Sequence, residues 1–238
     1  MEFISDLHLQ AAEPSTFEAW RRYMANVGAD ALFILGDLFE AWVGDDVAQQ
    51  AGFEADCAAV LRATAQRLPL FFLVGNRDFL VGVGLAQATG MTLVDDPTVF
   101  TFGDRRWLLS HGDALCIDDH AYLAFRAQVR DARWQQQFLA QPLATRQAMA
   151  RSVRNESEQL KQGGRDYADV DTATALQWLA AADAPVLVHG HTHRPREHEL
   201  DGTHRRIVLS DWDANAVPPR LEALRITREG DVRRIGLA

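Results

Sequence analysis

The chain has 238 residues, 47% of them hydrophobic and 24% charged, and a formal net charge of −9. That length holds a full domain core, and the ordinary apolar-to-charged balance excludes a disordered or collagen-like chain. Two cysteines are too few for a disulfide framework, the acidic balance argues against general nucleic-acid binding, and no apolar run reaches the roughly 18–20 residues of a membrane span. Met1 stands almost directly before the first strand-like run, so no signal peptide is expected and the protein is expected to remain in the cytoplasm. Cys57 and Cys116 read as small apolar packing residues.

Taken in order, Phe3-Ile4-Ser5 is a short apolar run that ends in Asp6-Leu7-His8. Runs this short, apolar throughout rather than alternating, read as strands buried on both faces. The segment 14–27 sets Phe17, Trp20, Tyr23, Met24 and Val27 near helical spacing, with Pro14 suited to a first turn. Ala31-Leu32-Phe33-Ile34 follows and is ended by Leu35-Gly36-Asp37-Leu38-Phe39-Glu40, the stretch around which the chain is organised. The spacing of Phe53, Val60 and Leu61 predicts a helix over 47–67, leading into Leu70-Phe71-Phe72-Leu73-Val74 and then Gly75-Asn76-Arg77-Asp78. A short glycine-rich helix over 80–90, a brief strand over 91–94 and a hairpin about Gly103-Asp104 lead to His111-Gly112-Asp113. Alternation of strand and helix predicts a layered α/β fold.

The rhythm changes over 118–167. Tyr122, Phe125 and Val129 make one helical stripe and Trp134, Phe138 and Leu139 another, with Pro142 before a third helical stretch. From 121 to 165 eight arginine and lysine side chains face three acidic ones, a local basic surface on an acidic protein. Such a segment is expected to be a helical lid, inserted within one domain spanning 1–238, that meets an anionic substrate or membrane surface. A helix over 169–182 then returns to the strand 185–188, which runs into His189-Gly190-His191-Thr192-His193. Three strand-like runs, 206–209, 221–226 and 232–237, are expected to form a second sheet packed on the first, giving a sandwich of two sheets flanked by helices.

Five strand ends thus bring Asp, His and Asn to one edge, the edge at which open α/β sheets bind ligands. Seven of these groups suit two divalent ions sharing a carboxylate: Asp6, His8, Asp37 and His193 on one, and Asp37, Asn76, His111 and His191 on the other. Mixed imidazole and carboxylate donors favour Mn, Fe or Zn over Ca and leave the choice among those three open; two divalent ions are expected, with Mn2+ as the working assignment. Such a pair can activate a water and clamp a phosphoryl group for in-line attack.

In Asp6-x-His8, Gly36-Asp37, Gly75-Asn76-Arg77-Asp78 and Gly190-His191-x-His193, in that order, the chain resembles the calcineurin-like metallophosphoesterases. The stretches 36–46, 75–80 and 189–195, and His111-Gly112-Asp113 with Leu115-Cys116 and Asp118-Asp119, are similar to the bacterial UDP-2,3-diacylglucosamine hydrolase family of lipid A synthesis. The resemblance implies hydrolysis of the pyrophosphate of UDP-2,3-diacylglucosamine to UMP and 2,3-diacylglucosamine 1-phosphate (lipid X). It implies catalytic roles for Asp37, Asn76 and Arg77, with Arg77 gripping phosphate. Substrate contacts carry over to Asn76, Arg77, Asp119, Tyr122, Arg154, Ser157, Lys161 and His191, and His189 becomes a structural group. A monomer on the cytoplasmic face of the inner membrane, as a peripheral protein, is expected. The chain departs from the family's pattern after Lys161, where Gln162-Gly163-Gly164-Arg165 is one residue short and replaces a second lysine, for which Arg165 can substitute. A phosphoesterase acting on another nucleotide diphosphate or phosphodiester is the alternative, and the long basic and apolar insertion argues against a small soluble substrate.

Overall fold

The computed structural model describes residues 1–162 and 168–237, side chains included except at 155–162. The first half runs β1 (Glu2–Ile4), α1 (Pro14–Asn26), β2 (Leu32–Leu35), α2 (Phe53–Ala65), β3 (Leu70–Leu73), α3 (Val83–Thr89) and β4 (Thr92–Val94). The hairpin β5 (Thr98–Phe102) and β6 (Arg105–Ser110) follows, then α4 (His120–Val129), α5 (Ala132–Leu139), α6 (Leu143–Gln162) and α7 (Thr172–Ala182). The chain closes with β7 (Val186–His189), β8 (Arg196–Glu199), β9 (Arg205–Val208), β10 (Glu222–Ile226) and β11 (Val232–Gly236). One sheet has the order β11-β10-β1-β2-β3-β4 and the other β5-β6-β7-β9-β8.

Strand periodicity explains the layering. In parallel register Phe3 lies beside Phe33 and Ile4 beside Ile34. Because successive side chains alternate faces, Phe3, Phe33, Leu35 and Leu73 meet Trp107, Leu109, Val186, Val188 and Ile207 between the two sheets. Phe33 stacks between Phe3 and Phe71, with ring centroids 5.0 and 4.5 Å away. Ile4, Leu32, Ile34 and Phe72 face the other way, onto Trp20 and Met24 of α1 and Cys57 and Leu61 of α2. Leu108 and Leu187 pack outward against Leu115, Ala175 and Leu179. The layers are therefore helix, sheet, sheet and helix, and apolar faces on both sides of each central strand explain why the strands lack polar alternation.

Two expectations are corrected. The helix expected over 47–67 begins only at Phe53, because Asp45–Gln49 forms a 3₁₀ turn. Asp45 is drawn out of any helix there: its carboxylate accepts from Trp42 Nε1 at 3.0 Å and from the backbone N–H groups of Gly82 and Leu85, each at 3.0 Å. The tail does not form one sheet. β9 joins the second sheet, whereas β10 and β11 return to the first, with β10 antiparallel to β1. β1 is buried on both faces, so its open edge needs a partner that is apolar on both faces, and Ala223, Leu224 and Ile226 of β10 supply one. β8 was not anticipated, because its Arg-Glu-His-Glu sequence carries no apolar signal.

Candidate dimetal site

The loops after β1, β2, β3, β6 and β7 meet at one edge of the sandwich. Asp6, His8, Asp37, His191 and His193 all have φ between 49° and 68°, in the left-handed region. Among the described residues, Asp183 at the end of α7 is the sixth non-glycine there. Each such conformation costs of order 1 kcal/mol and persists only where its surroundings over-determine it. Here they do. Asp6 N donates to Gly36 O at 3.1 Å, His8 N to Asp37 O at 3.0 Å, and His191 N to Asp6 Oδ2 at 2.9 Å. Buried Asp78 accepts from Gly75 N at 2.7 Å and Leu38 N at 2.8 Å, fastening the asparagine loop to the Asp37 loop. Gly75 permits that approach, since a Cβ there would sit 2.2 Å from Asp37 Oδ1.

The seven expected donors converge. On one side Asp6, His8 and His193 offer atoms that all lie within 4.8 Å of one another, with His193 Nε2 3.4 Å from Asp6 Oδ1 and 3.3 Å from His8 Nε2. Asp37 Oδ2 lies 3.9 Å from His8 Nε2, while its Oδ1 lies 3.6 Å from His111 Nε2. Asn76 Oδ1 is 2.8 Å from both His111 Nε2 and His191 Nδ1. Two nests of imidazole and oxygen donors thus flank one carboxylate, an arrangement that fits two divalent cations with Asp37 between them.

The electrostatics favour a cation. Burial would raise Asp6, but the imidazoles of His193, His111 and His8 hold it well below the ordinary carboxylate range. Burial would lower His111, yet the carboxylates of Asp37, Asp6 and Asp113 push it up to about 9. Burial, with the positive charge of His111 beside it, takes His191 down to about 4. A divalent ion would displace the His111 proton, so its binding releases protons and weakens in acid.

Four acidic groups that the sequence reading left without roles buttress the edge. Besides Asp78, Glu40 Oε2 lies 3.1 Å from His8 Nδ1, and Asp211 Oδ2 lies 3.8 Å from His193 Nδ1. Asp113 accepts from Tyr122 Oη and, at 2.8 Å, from Arg126 Nε. Each histidine ligand benefits from an acceptor beside its second ring nitrogen, but Glu40 and Asp211 are distant in sequence from His8 and His193, so no local signal marks them.

The expected substrate contacts are distributed unevenly. Arg77 Nη1 approaches Glu40 Oε1 at 3.6 Å, and its backbone N–H donates to Asp37 Oδ1 at 2.8 Å. Arg154 Nη1 donates to Gln10 Oε1 at 2.8 Å, and its Nε lies 3.3 Å from Glu40 Oε1. The Tyr122 ring lies 5.9 Å from that of His191. Asp119 caps α4 by accepting from Tyr122 N at 3.0 Å. Ser157, Lys161 and Arg165 lie outside the described side chains. His189 is fully buried, with Nδ1 2.8 Å from Gly190 O and Nε2 3.3 Å from Arg206 Nη1, so it faces away from the donor nests.

Residues 3–195 match the calcineurin-like phosphoesterase family model, which defines the class: hydrolases built on a dinuclear metal site. The relatives narrow it. A UDP-2,3-diacylglucosamine hydrolase of Chromobacterium violaceum is 47% identical over 221 residues, covering 89% of this chain and 90% of that one. One from Xanthomonas oryzae pv. oryzae is 46% identical over 244 residues, covering 95% and 97%, and one from Bordetella pertussis 47% over 236 residues, covering 95% and 91%. The chain belongs to this UDP-2,3-diacylglucosamine hydrolase family of calcineurin-like phosphoesterases.

Proposed function

We propose that the protein hydrolyses the pyrophosphate of UDP-2,3-diacylglucosamine, giving UMP and 2,3-diacylglucosamine 1-phosphate for lipid A synthesis. The observation that carries this reading is the convergence of all seven donors on one edge, with Arg77 and Arg154 gathered beside them, in a chain nearly coextensive with relatives of that name. Asp6, His8, Asp37 and His193 would hold one ion and Asp37, Asn76, His111 and His191 the other, with Mn2+ as the proposed metal. Bound there, the two ions supply Lewis-acid polarisation of the phosphoryl group and a water acidic enough to attack near neutral pH.

The chain's own groups do the positioning. Arg77 presents a planar guanidinium to phosphoryl oxygens, where charge grows in the transition state. Asn76 directs its carbonyl oxygen toward the two imidazoles, leaving its amide N–H groups to donate to substrate. Water adds to the UMP-side phosphorus and the bond to the sugar phosphate breaks. The departing group is a phosphate monoester with a second pKa of about 6, so no separate protein acid is required.

Residues 118–167 act as a lid inserted in the single domain. Asp119, Tyr122, Arg154, Ser157, Lys161 and His191 contact the sugar and its phosphate. Helices α4 to α6 expose Phe125, Leu139, Met149 and Val153 among basic side chains, a surface chemistry suited to acyl chains and to peripheral contact with the cytoplasmic face of an inner membrane. The protein acts there as a monomer. The deciding experiment measures UMP release with added Mn2+ from the acylated substrate, from UDP-glucosamine and from an aryl phosphodiester. Rapid turnover of the acylated compound is expected. Turnover of the aryl ester alone would retain the metal chemistry and overturn the lipid reading.

A further inference from the structure

We propose that Glu40 is a positioning residue that sets a metal-ligating histidine and two substrate-facing guanidiniums in register through one carboxylate. Its backbone is fixed first. Leu9 and Phe39 form an isolated parallel bridge, and Glu40 N donates to Leu9 O at 3.2 Å, so the loops bearing Asp6, His8 and Asp37 run side by side beneath it. The carboxylate then divides its two oxygens. Oε2 lies 3.1 Å from His8 Nδ1, and Oε1 lies 3.3 Å from Arg154 Nε and 3.6 Å from Arg77 Nη1.

Each contact has a consequence. A carboxylate facing Nδ1 selects the tautomer that carries its proton there and turns the Nε2 lone pair toward Asp6 and His193, which is the orientation a cation needs. Arg77 comes from the loop after β3 and Arg154 from α6, elements far apart in sequence whose like charges would otherwise repel. One anionic oxygen between them lets both approach the same phosphate. The Glu40 side chain is 13% exposed, so its desolvation is worthwhile only with all three partners in place. Glu40 and Arg154 also border a cleft of about 140 Å³ with Leu9, Phe39 and Phe53, so the Arg154 guanidinium flanks open space at the lid's edge.

The guanidinium half of this inference rests on the hydrolase reading; the histidine half does not. The test uses the full chain with Glu40→Gln and Glu40→Ala. First, Mn2+ affinity is measured without substrate by following free Mn2+ with EPR. Weakening of one of two ions by about 10–100-fold is expected for Glu40→Ala. Glu40→Gln, which keeps an oxygen within reach of Nδ1, should lose less. Second, at saturating Mn2+, KM for the acylated substrate is measured for Arg154→Ala, Glu40→Gln and the double variant. The KM cost of removing Arg154 should shrink in the Glu40→Gln background, because the guanidinium loses the carboxylate that aligns it with Arg77. Unchanged Mn2+ affinities in Glu40→Ala would overturn the histidine half, and fully additive KM effects the guanidinium half. Glu40→Gln must melt at the wild-type temperature, and it carries the metal titration where Glu40→Ala fails to fold. A wild type that releases no UMP would sink the hydrolase reading, while the metal titration still judges the histidine half.

Discussion

The metal-donor edge and the helical insertion are built on opposite principles. At the edge, five donors hold left-handed backbone, Asp6 and His111 have no exposed surface, and the loops are stitched to one another through backbone N–H and carbonyl groups. The insertion is attached by an apolar anchor, buried Phe138 with Trp134 and Leu143 against the core, and by arginines. Arg126 reaches Asp113, Arg130 Nη2 donates to Gly75 O at 3.0 Å, Arg146 reaches Asp46 and Val43 O, and Arg154 reaches Glu40. The difference teaches a division of labour. Chemistry that tolerates little positional error is locked by over-determined backbone, and the substrate selection proposed for the insertion falls to an element held by separable side-chain contacts.

The largest effect should come from the shared carboxylate. Asp37→Ala removes the bridging donor from both nests, and metal-dependent hydrolysis should fall by about 10³-fold or more. Circular dichroism should stay native, since the strands beneath do not depend on that side chain, and a variant that kept its rate would place the chemistry elsewhere. Gly75→Ala asks whether the edge is as unforgiving as its contacts suggest. A Cβ 2.2 Å from Asp37 Oδ1 and 2.5 Å from Asp37 N must push the loop aside. A loss of about 1–3 kcal/mol in unfolding free energy is expected, together with weaker Mn2+ binding. If Gly75→Ala melts and binds metal like wild type, the edge is more plastic than the insertion and the contrast fails.

On the other side of the comparison stands Arg146, almost fully buried although Asp46, its partner, is half exposed. The ion pair itself is therefore worth little, and most of the cost of Arg146→Ala should come from stranding the Val43 carbonyl. About 1–3 kcal/mol of local stability should be lost, visible as faster amide exchange in α5 and α6. KM for the acylated substrate should rise while the aryl ester is hydrolysed as before. Equal losses on both substrates would mean that the insertion supports the metal edge directly.

How much of this could be read beforehand follows the same divide. The groups gathered at the edge were legible because each follows an apolar run and a tight turn, signals confined to a few adjacent residues: Asp6 after Phe3-Ile4-Ser5, Asn76 after Gly75. The four layers were legible for the same local reason. Partnerships between distant segments were not. Nothing near 222–226 says that it pairs with β1 rather than with β9, and Glu40 acquires its role only when the Leu9–Phe39 bridge brings it to His8. Asp119 shows a different limit. Its Oδ1 caps α4, a use that any aspartate before a helix can have, so the position alone does not distinguish a cap from the substrate contact proposed for it.

A smaller, pH-dependent effect sharpens the comparison where the insertion rejoins the frame. Asp169, just before α7, binds Arg206 of β9 through contacts of 3.1 and 2.9 Å, and Arg206 Nη1 in turn faces His189 Nε2. A guanidinium donates to that nitrogen only if the imidazole is neutral, with its proton on Nδ1 toward Gly190 O. Burial, reinforced by the charge of Arg206, takes the folded pKa of His189 down to about 3. The unfolded value is about 6.5, so between the two the unfolded chain binds the extra proton. The stabilising contribution is therefore complete above about pH 6.5 and is lost progressively as pH falls toward 3. In metal-free protein this should cost about 2 kcal/mol at pH 5. His189→Asn keeps an acceptor for Arg206 but cannot titrate, so its unfolding free energy should fall less steeply with acid, by about one proton in slope. Denaturant melts of both proteins from pH 4 to 7.5 measure that slope difference; parallel curves would show that the frame beneath the metal edge tolerates a charged His189.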